Sequence, residues 1–330
     1  MENQQYKIAI IGAGTMGTAL GNILAEAGKE NILLHSIEHQ VVEDINRTHI
    51  NTKYFPTLHL HPGLHATMEE HMLENCKIIF LAIPSVVMIE YLKKIQKHLP
   101  EEAILINLAK GFGYGDRTIL QCLQDEFSNP VCTMKGPSFA REIINRLPTG
   151  FTLGSENPDH LPFIRRIFKD TNIHFDSSTD VRGVEILSIL KNIYAVALGI
   201  VDAQFNSPNL RFLVLTKAFQ EMRKVLMSCG GRVDTLFNYC GYGDFTLTAL
   251  NDLSRNRTLG LLIGKGFFTE HVSHELVLEG KTAVIVFYEH LSKTMRVEDN
   301  FPIMAELYHI FQSPYDISLF VNTILDFPEA

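Results

Sequence analysis

The segment Gly12-Ala13-Gly14-Thr15-Met16-Gly17 stands between an apolar run at residues 6–11 and a helix-like stretch that continues to Ala27. A second apolar run follows at 31–34. Strand, glycine turn, helix, strand is the frame in which a GxGxxG match carries physical meaning. Gly12 permits the tight turn, Gly14 lets the backbone approach a pyrophosphate, and Gly17 lets the helix pack close to the sheet. The helix that opens there offers free N–H groups and the positive end of its dipole to an anion. A dinucleotide is the expected ligand; a merely tight structural turn is the alternative.

The first half of the chain goes on alternating. Strand patterns at 78–83, 103–108, 131–134, 150–153 and 173–175 are interleaved with helical patterns at 86–98, 118–127 and 161–170. This predicts an α/β fold: a Rossmann-like, doubly wound parallel sheet covered by helices. Ligands of such sheets sit past the carboxyl ends of the strands. Pro84-Ser85, Lys110-Gly111 and Gly136-Pro137-Ser138-Phe139-Ala140 are turns at those ends. Lys110 either reaches a phosphate or carbonyl there or is a solvated loop lysine. The third turn either presents backbone N–H groups or simply starts a helix.

Beyond about residue 180 the strand patterns stop. Helical periodicity dominates at 216–229, 257–263, 283–291 and 317–325. The expected division is a dinucleotide-binding domain at 1–180 and a mainly helical substrate and catalytic domain at 181–330, parted at the turn Asp180-Val181-Arg182-Gly183. At 330 residues the chain is long enough for two cores. The 29 basic against 37 acidic residues, a net charge of −8, weigh against a nucleic-acid partner. Cys76, Cys122, Cys132, Cys229 and Cys240 are odd in number and too scattered for a metal knuckle, which fits a reducing cytoplasm and no metal site. The start of the chain leads straight into the first strand, and the most apolar segment, 185–201, is interrupted by Lys191-Asn192. Neither reads as a signal peptide or a membrane span, so the protein is not expected to be integral to a membrane.

That apolar segment carries the clearest chemistry. Wound as a helix, Glu185, Ser188, Lys191, Asn192, Ala195 and Gly199 share an arc of roughly 120°. A solvated face would carry several charges, not Ser, Ala and Gly, so the stripe predicts the wall of an internal cleft. Burial of an ammonium is costly and lowers its pKa. Lys191 is then either paired with a carboxylate such as Glu185 or poised as an acid/base catalyst. A second polar group follows in the run 241–248, where Asp244 and Thr248 share a helix face at i, i+4, and in Ser254-Arg255-Asn256-Arg257. Arg255 offers a planar fork to a phosphate, and Asn256 can bond a hydroxyl or a carbonyl. An N-capping aspartate with a surface arginine pair is the plainer account. Beside a nicotinamide, such a cationic site suits reduction of an anionic, phosphorylated carbonyl compound.

These residues resemble the NAD(P)-dependent glycerol-3-phosphate dehydrogenases of bacterial type over nearly the whole chain. The resemblance is carried in order by GAGTMGTAL, Asn51-x-x-Tyr54-Phe55-Pro56, Ile83-Pro84-Ser85, Lys110-Gly111, GPSFARE, Leu147-Pro148-Thr149, GVE…LKN, GDFTLT, SRNR and Glu279-Gly280. It implies reversible reduction of dihydroxyacetone phosphate to sn-glycerol 3-phosphate, which feeds glycerophospholipid synthesis. It places Gly12, Gly14, Thr15, Met16, Gly17, Pro84, Lys110, Ser138, Ala140, Arg255, Val277 and Glu279 at the cofactor. Lys110, Gly136, Asn192, Asp244, Thr248, Ser254, Arg255 and Asn256 fall at the substrate. Lys191 is matched to the general acid/base, with Asp244 and Lys110 as its catalytic companions. The sequence departs from the family where GLAGLGDL reads NYCGYGDF, where SGPSFA begins with Lys135, and where TRG reads Thr216-Lys217-Ala218.

The expected cofactor is NAD or NADP. The region after the second strand reads His35-Ser36-Ile37-Glu38, with no Arg or Lys before Arg47. An acid there bonds the ribose hydroxyls of NAD, so Glu38 tips the expectation towards NAD, unless it simply begins the next helix. A homodimer is compatible with the chain. Two other readings stay open: a hydroxyacid or ketoacid dehydrogenase of the same architecture, and a nicotinamide-binding regulator without enzymatic activity.

Overall fold

The computed structural model describes residues 7–29, 31–267 and 279–327. The chain divides into two compact units, Met1–Ala109 with Arg117–Val181, and Lys110–Asp116 with Arg182–Ala330.

The first unit is built on a sheet whose strands run in the order β3-β2-β1-β4-β5-β6-β7-β8. They are β1 Ile8–Ile11, β2 Ile32–His35, β3 Leu64–Thr67, β4 Ile78–Leu81, β5 Ile104–Asn107, β6 Val131–Lys135, β7 Thr149–Gly154 and β8 Ile173–Ser178. The central strands read IAII, ILLH, IIFL and ILIN and are almost wholly buried. Continuous apolar runs of this kind belong to strands covered on both faces. In register, Ile8 stands opposite Ile32 on one side and Ile78 on the other. The helices of this unit are α1 Thr15–Glu26, α2 His39–Thr48, α3 Ser85–Ile95, α4 Ile119–Glu126, α5 Ala140–Ile144 and α6 His160–Ile167. A capping box fixes the start of α4, with Thr118 and Gln121 each serving the other's backbone N–H.

Three features depart from the sequence expectation. The sheet is not parallel throughout, because β6 and β7 pair antiparallel while the other pairs are parallel. Strand direction leaves no trace in apolar runs, and the joining segment holds only the five residues of α5. The strand β3 has no counterpart in the sequence pattern, and α2 is foreshadowed only by the alternative that Glu38 begins a helix, which it directly precedes. Only Val41, Asp44 and Ile45 are buried in α2, and the LHAT of β3 mixes polar and apolar residues. Finally, Val181-Arg182-Gly183 is not a turn but the first turn of the next helix.

That helix, α7 Val181–Gln204, is the axis of the second unit. It is long and apolar enough to cross a membrane (mean hydropathy 1.8), and that stretch is wholly buried inside the protein. Around it lie α8 Pro208–Ser228, α9 Asp244–Leu250, α10 Arg255–Gly264, α11 Glu279–Ser292, α12 Pro302–Gln312 and α13 Phe320–Leu325. Helix α8 begins eight residues before the periodicity suggested. Ser207 caps it and Pro208 occupies its first turn, where a missing N–H costs nothing. Helix α12 was not anticipated, although it too opens on a proline.

The small-residue stripe of α7 does two different jobs. A Cβ on Gly199 would lie 2.3 Å from the Arg257 carbonyl oxygen and 2.9 Å from Gly260 Cα, and one on Gly260 would lie 2.0 Å from the Val196 carbonyl oxygen. Helices α7 and α10 thus cross backbone against backbone. At Gly199 the stripe is a packing seam, not a cleft wall. Ser188 turns its hydroxyl back onto the Glu185 carbonyl, 2.7 Å away. From this stripe Lys191 bonds to α9 and Asn192 to Glu279 of α11.

Candidate active site

In the first unit, the glycine turn is held as a rigid open loop. Gly12 has φ +110°, and its N–H donates to the His35 carbonyl at 2.8 Å. A Cβ there would lie 2.6 Å from the Ala82 carbonyl oxygen, so both conformation and space demand glycine. The Ala13 carbonyl accepts from Thr18 Oγ1 at 3.1 Å and from Asn51 Nδ2 at 2.9 Å. Asn51 thereby ties its motif to the turn, a link across 38 positions that the sequence gives no sign of. Helix α1 opens at Thr15 and Met16 with no side chain capping it. A Cβ on Gly14 would meet nothing within 4 Å, whereas one on Gly17 would strike the Gly12 carbonyl oxygen at 1.9 Å. Uncapped N–H groups beside an open glycine fit the diphosphate of a dinucleotide.

Elsewhere on this unit, Pro84 is the residue before α3, and Glu38 directly precedes α2. The Glu38 carboxylate is bonded by Lys53 and, at 3.0 Å, by Tyr54 Oη. The Lys53 bond above all holds its pKa below the ordinary carboxylate value. Lys53 is a residue the sequence reading passed over, because its partner lies across α2. Ser138 donates to the Gly136 carbonyl at 2.9 Å, just before α5 begins at Ala140. Gly136 leans against β7, where a Cβ would lie 2.4 Å from the Gly150 carbonyl oxygen. Lys135, in place of the family's serine, is fully buried, and its ammonium bonds the Asn107 carbonyl at 3.2 Å and the Ala109 carbonyl.

In the second unit, a buried carboxylate lies between two lysines. Asp244, the first residue of α9, is 1 % exposed. Its Oδ1 accepts from Lys191 Nζ at 2.6 Å and its Oδ2 from Lys110 Nζ at 2.8 Å. Lys191 also donates to Thr248 Oγ1 at 2.9 Å, one helical turn further along. The partner of Lys191 is therefore Asp244, not Glu185. Burial pulls the Lys191 ammonium down to about 8; the Asp244 charge opposes this and the Lys110 charge adds to it. Lys110 keeps 20 % of its side chain exposed. A buried ammonium held at that pKa can both give and take a proton near neutral pH.

Residues 7–161 match the family described as NAD-dependent glycerol-3-phosphate dehydrogenase N-terminus, and residues 180–322 match its C-terminus. The chain is 32% identical over 323 residues to a glycerol-3-phosphate dehydrogenase [NAD(P)+] of Clostridium botulinum, covering 97% of each. It is 34% identical over 319 residues to the enzyme of that name from Methanothermobacter thermautotrophicus, covering 96% of each. A crystal structure of glycerol-3-phosphate dehydrogenase from Coxiella burnetii superposes with TM-score 0.88 at 27% identity, over 98% of this chain and 99% of that one. The chain belongs to the NAD-dependent glycerol-3-phosphate dehydrogenase family. It is an oxidoreductase that uses NAD or NADP.

The remaining family-matched residues gather beside the lysine pair on the same unit. Ser254 caps α10, accepting the Arg257 N–H at 3.3 Å. Asn256 is buried and its Oδ1 accepts the Gly280 N–H at 3.1 Å, which fixes the start of α11 and leaves its Nδ2 as a donor. Asn192 reaches Glu279 at 3.5 Å. Arg255 has 63 % of its side chain exposed and comes no nearer Glu279 than 3.8 Å. Arg257 is a different arginine: it is buried and pairs with Asp202 and Asp252. Val277 lies outside the described residues.

Proposed function

We propose that this chain catalyses the reversible, NAD(P)H-dependent reduction of dihydroxyacetone phosphate to sn-glycerol 3-phosphate, supplying the backbone of glycerophospholipids. The observation that carries the reading is the Lys191–Asp244–Lys110 cluster within a chain of this family. In this reading unit 1 binds the dinucleotide, with Gly12, Gly14, Thr15, Met16, Gly17 and Pro84 around it and Ser138 and Ala140 contributing from the turn before α5. When bound, the reduced nicotinamide supplies the hydride. Unit 2 supplies the rest.

Lys191 Nζ donates a proton to the carbonyl oxygen as negative charge develops there, and in the reverse direction the neutral amine accepts the hydroxyl proton. Asp244 and Thr248 hold that amine in place, so its direction is set before substrate arrives. Lys110 shares Asp244 and adds a second positive charge towards the developing alkoxide. Arg255 and the Asn256 amide bind the phosphate, an exposed planar fork being free to close on its oxygens. Asn192 and Glu279 keep the start of α11 against α7. A cytoplasmic setting suits five cysteines that are all buried.

The test is oxidation of NADH and of NADPH by purified protein with dihydroxyacetone phosphate, with unphosphorylated dihydroxyacetone, and with a panel of 2-ketoacids. Turnover confined to the phosphorylated ketone is expected. Turnover of a ketoacid instead would move the protein to the hydroxyacid dehydrogenases. Cofactor binding without turnover of any of these compounds would place the substrate outside both classes.

A further inference from the structure

Asp244 is flanked in sequence by aromatic residues that meet on one ring. Tyr242, two positions before it, lies edge-on to Phe219 with centroids 5.5 Å apart. Phe245, one position after it, lies parallel to the same ring at 6.2 Å and 7°. Phe219 belongs to α8, and Phe237 reaches it as well at 6.4 Å. The chain enters α9 through a π-helical turn, Tyr239–Gly243. Such turns are rare and are frequently found at functional sites. This one is pressed onto the segment before it, since a Cβ on Gly241 would lie 2.2 Å from the Leu236 carbonyl oxygen. Phe245 also meets Tyr194 edge-on at 6.3 Å, and Tyr194 is three residues beyond Lys191 on α7. Helices α7 and α9 therefore touch at two successive levels, Lys191 on Asp244 and Thr248, then Tyr194 on Phe245.

We infer that Phe219 is a positioning residue: through Tyr242 and Phe245 it fixes the π-helical turn and the first turn of α9, so that Asp244 accepts from Lys191 and Lys110 at once. The inference rests on the reading of Lys191 as the proton donor. Two short bonds in different directions from one buried carboxylate require its backbone to be placed closely, and the sequence supplies the means locally. Tyr242 and Phe245 stand where the family usually carries leucines. Leucine packs without a preferred angle, whereas ring pairs favour edge-on and offset-parallel geometries. Two differently oriented contacts on one ring fix rotation as well as distance. The Lys191 ammonium feels the charges of Asp244 and Lys110, so a displaced Asp244 leaves its charged form less favoured.

The experiment compares Phe219→Leu, Phe219→Tyr and Tyr242→Leu with wild type by steady-state kinetics across pH and by cofactor titration. Phe219→Leu should lower kcat by roughly 10-fold, a modest share of what misplacing a catalytic group can cost. It should also move the alkaline loss of ketone reduction to lower pH, with cofactor affinity unchanged. Phe219→Tyr keeps the ring and should behave as wild type. Tyr242→Leu removes one of the two grips from an exposed position, should shift both readouts less, and stands in if Phe219→Leu does not fold. A folded Phe219→Leu protein with wild-type kcat and pH midpoint overturns the proposal. So does a kcat loss with an unmoved midpoint, which would make the ring mere packing. If Lys191→Met itself keeps wild-type kcat, the reading beneath the proposal fails, and that result is separate from any Phe219 variant.

Discussion

Lys191 and Arg255 are both cationic, but their surroundings assign them different steps. Lys191 has 7 % of its side chain exposed and two bonded partners; Arg255 is mostly solvated. Lys191→Met keeps the bulk and removes the proton, and kcat should fall roughly 10²–10⁴-fold, with cofactor binding intact. Arg255→Ala should chiefly raise KM, because phosphate is held in ground and transition states alike. Steady-state kinetics of both variants separates the roles. Because the Lys191 pKa is lowered to about 8, ketone reduction should fall as pH rises through that value, while alcohol oxidation rises towards it. Lys191 was legible in sequence because one lysine interrupts an otherwise apolar helix. Its partners carry no such local mark, since Asp244 lies 53 positions from Lys191 and 134 from Lys110, and only the family resemblance set the three together. Cofactor preference belongs to the same scale. A Glu38 carboxylate turned towards the ribose would oppose a 2′-phosphate, but Lys53 bonds that carboxylate and offsets its charge. A mild NADH preference is expected in wild type, and Lys53→Ala should widen it by weakening NADPH; equal loss for both cofactors would take Lys53 out of the recognition.

At the scale of elements, periodicity located most of the strands and helices that are apolar enough to be buried, α12 excepted, and missed α2 and β3, which are not. The central strands β2, β1, β4 and β5 read plainly because each is a nearly continuous apolar run, while α2 is polar on most of its surface. What periodicity alone misjudged was the meaning of small residues. Gly199 read as part of the wall of a cleft, yet a small residue on a buried helix can equally admit a neighbouring backbone, and here α10 takes that room. Gly260→Leu should therefore destabilise the second unit by about 1–3 kcal/mol, the usual cost of overpacking. Differential scanning calorimetry should show a lowered Tm. A Tm equal to wild type would mean that α7 and α10 can part without loss. The carbonyl of Val196 directly under Gly260 argues that they cannot.

Stability of the whole molecule should carry a pH signature from a group remote from the chemistry. Glu221 of α8 is buried and its carboxylate accepts from Tyr194 Oη at 3.2 Å on α7 and from the Ile303 and Met304 N–H groups at 3.0 and 2.9 Å, which open α12. One side chain thus joins three helices. Burial pushes its pKa up to about 7, against the pull of those three donors towards the charged form. In the unfolded chain it titrates near the ordinary glutamate value. Between the two values the folded state holds the proton that the unfolded state has lost. The stabilisation is complete below the unfolded pKa and is lost as pH rises through about 7, at ~1.4 kcal/mol per pH unit within the window. Lys191 acts in the opposite sense at higher pH, because its lowered folded pKa makes the unfolded state bind more protons above about 8. Glu221→Gln removes the first term and leaves the second. Urea unfolding of wild type and variant at a series of pH values from 5 to 8 should therefore give curves that separate as pH rises towards 7, the wild type losing stability that the neutral glutamine keeps. Parallel curves across that range would show Glu221 ionised throughout, with its three donors outweighing its burial.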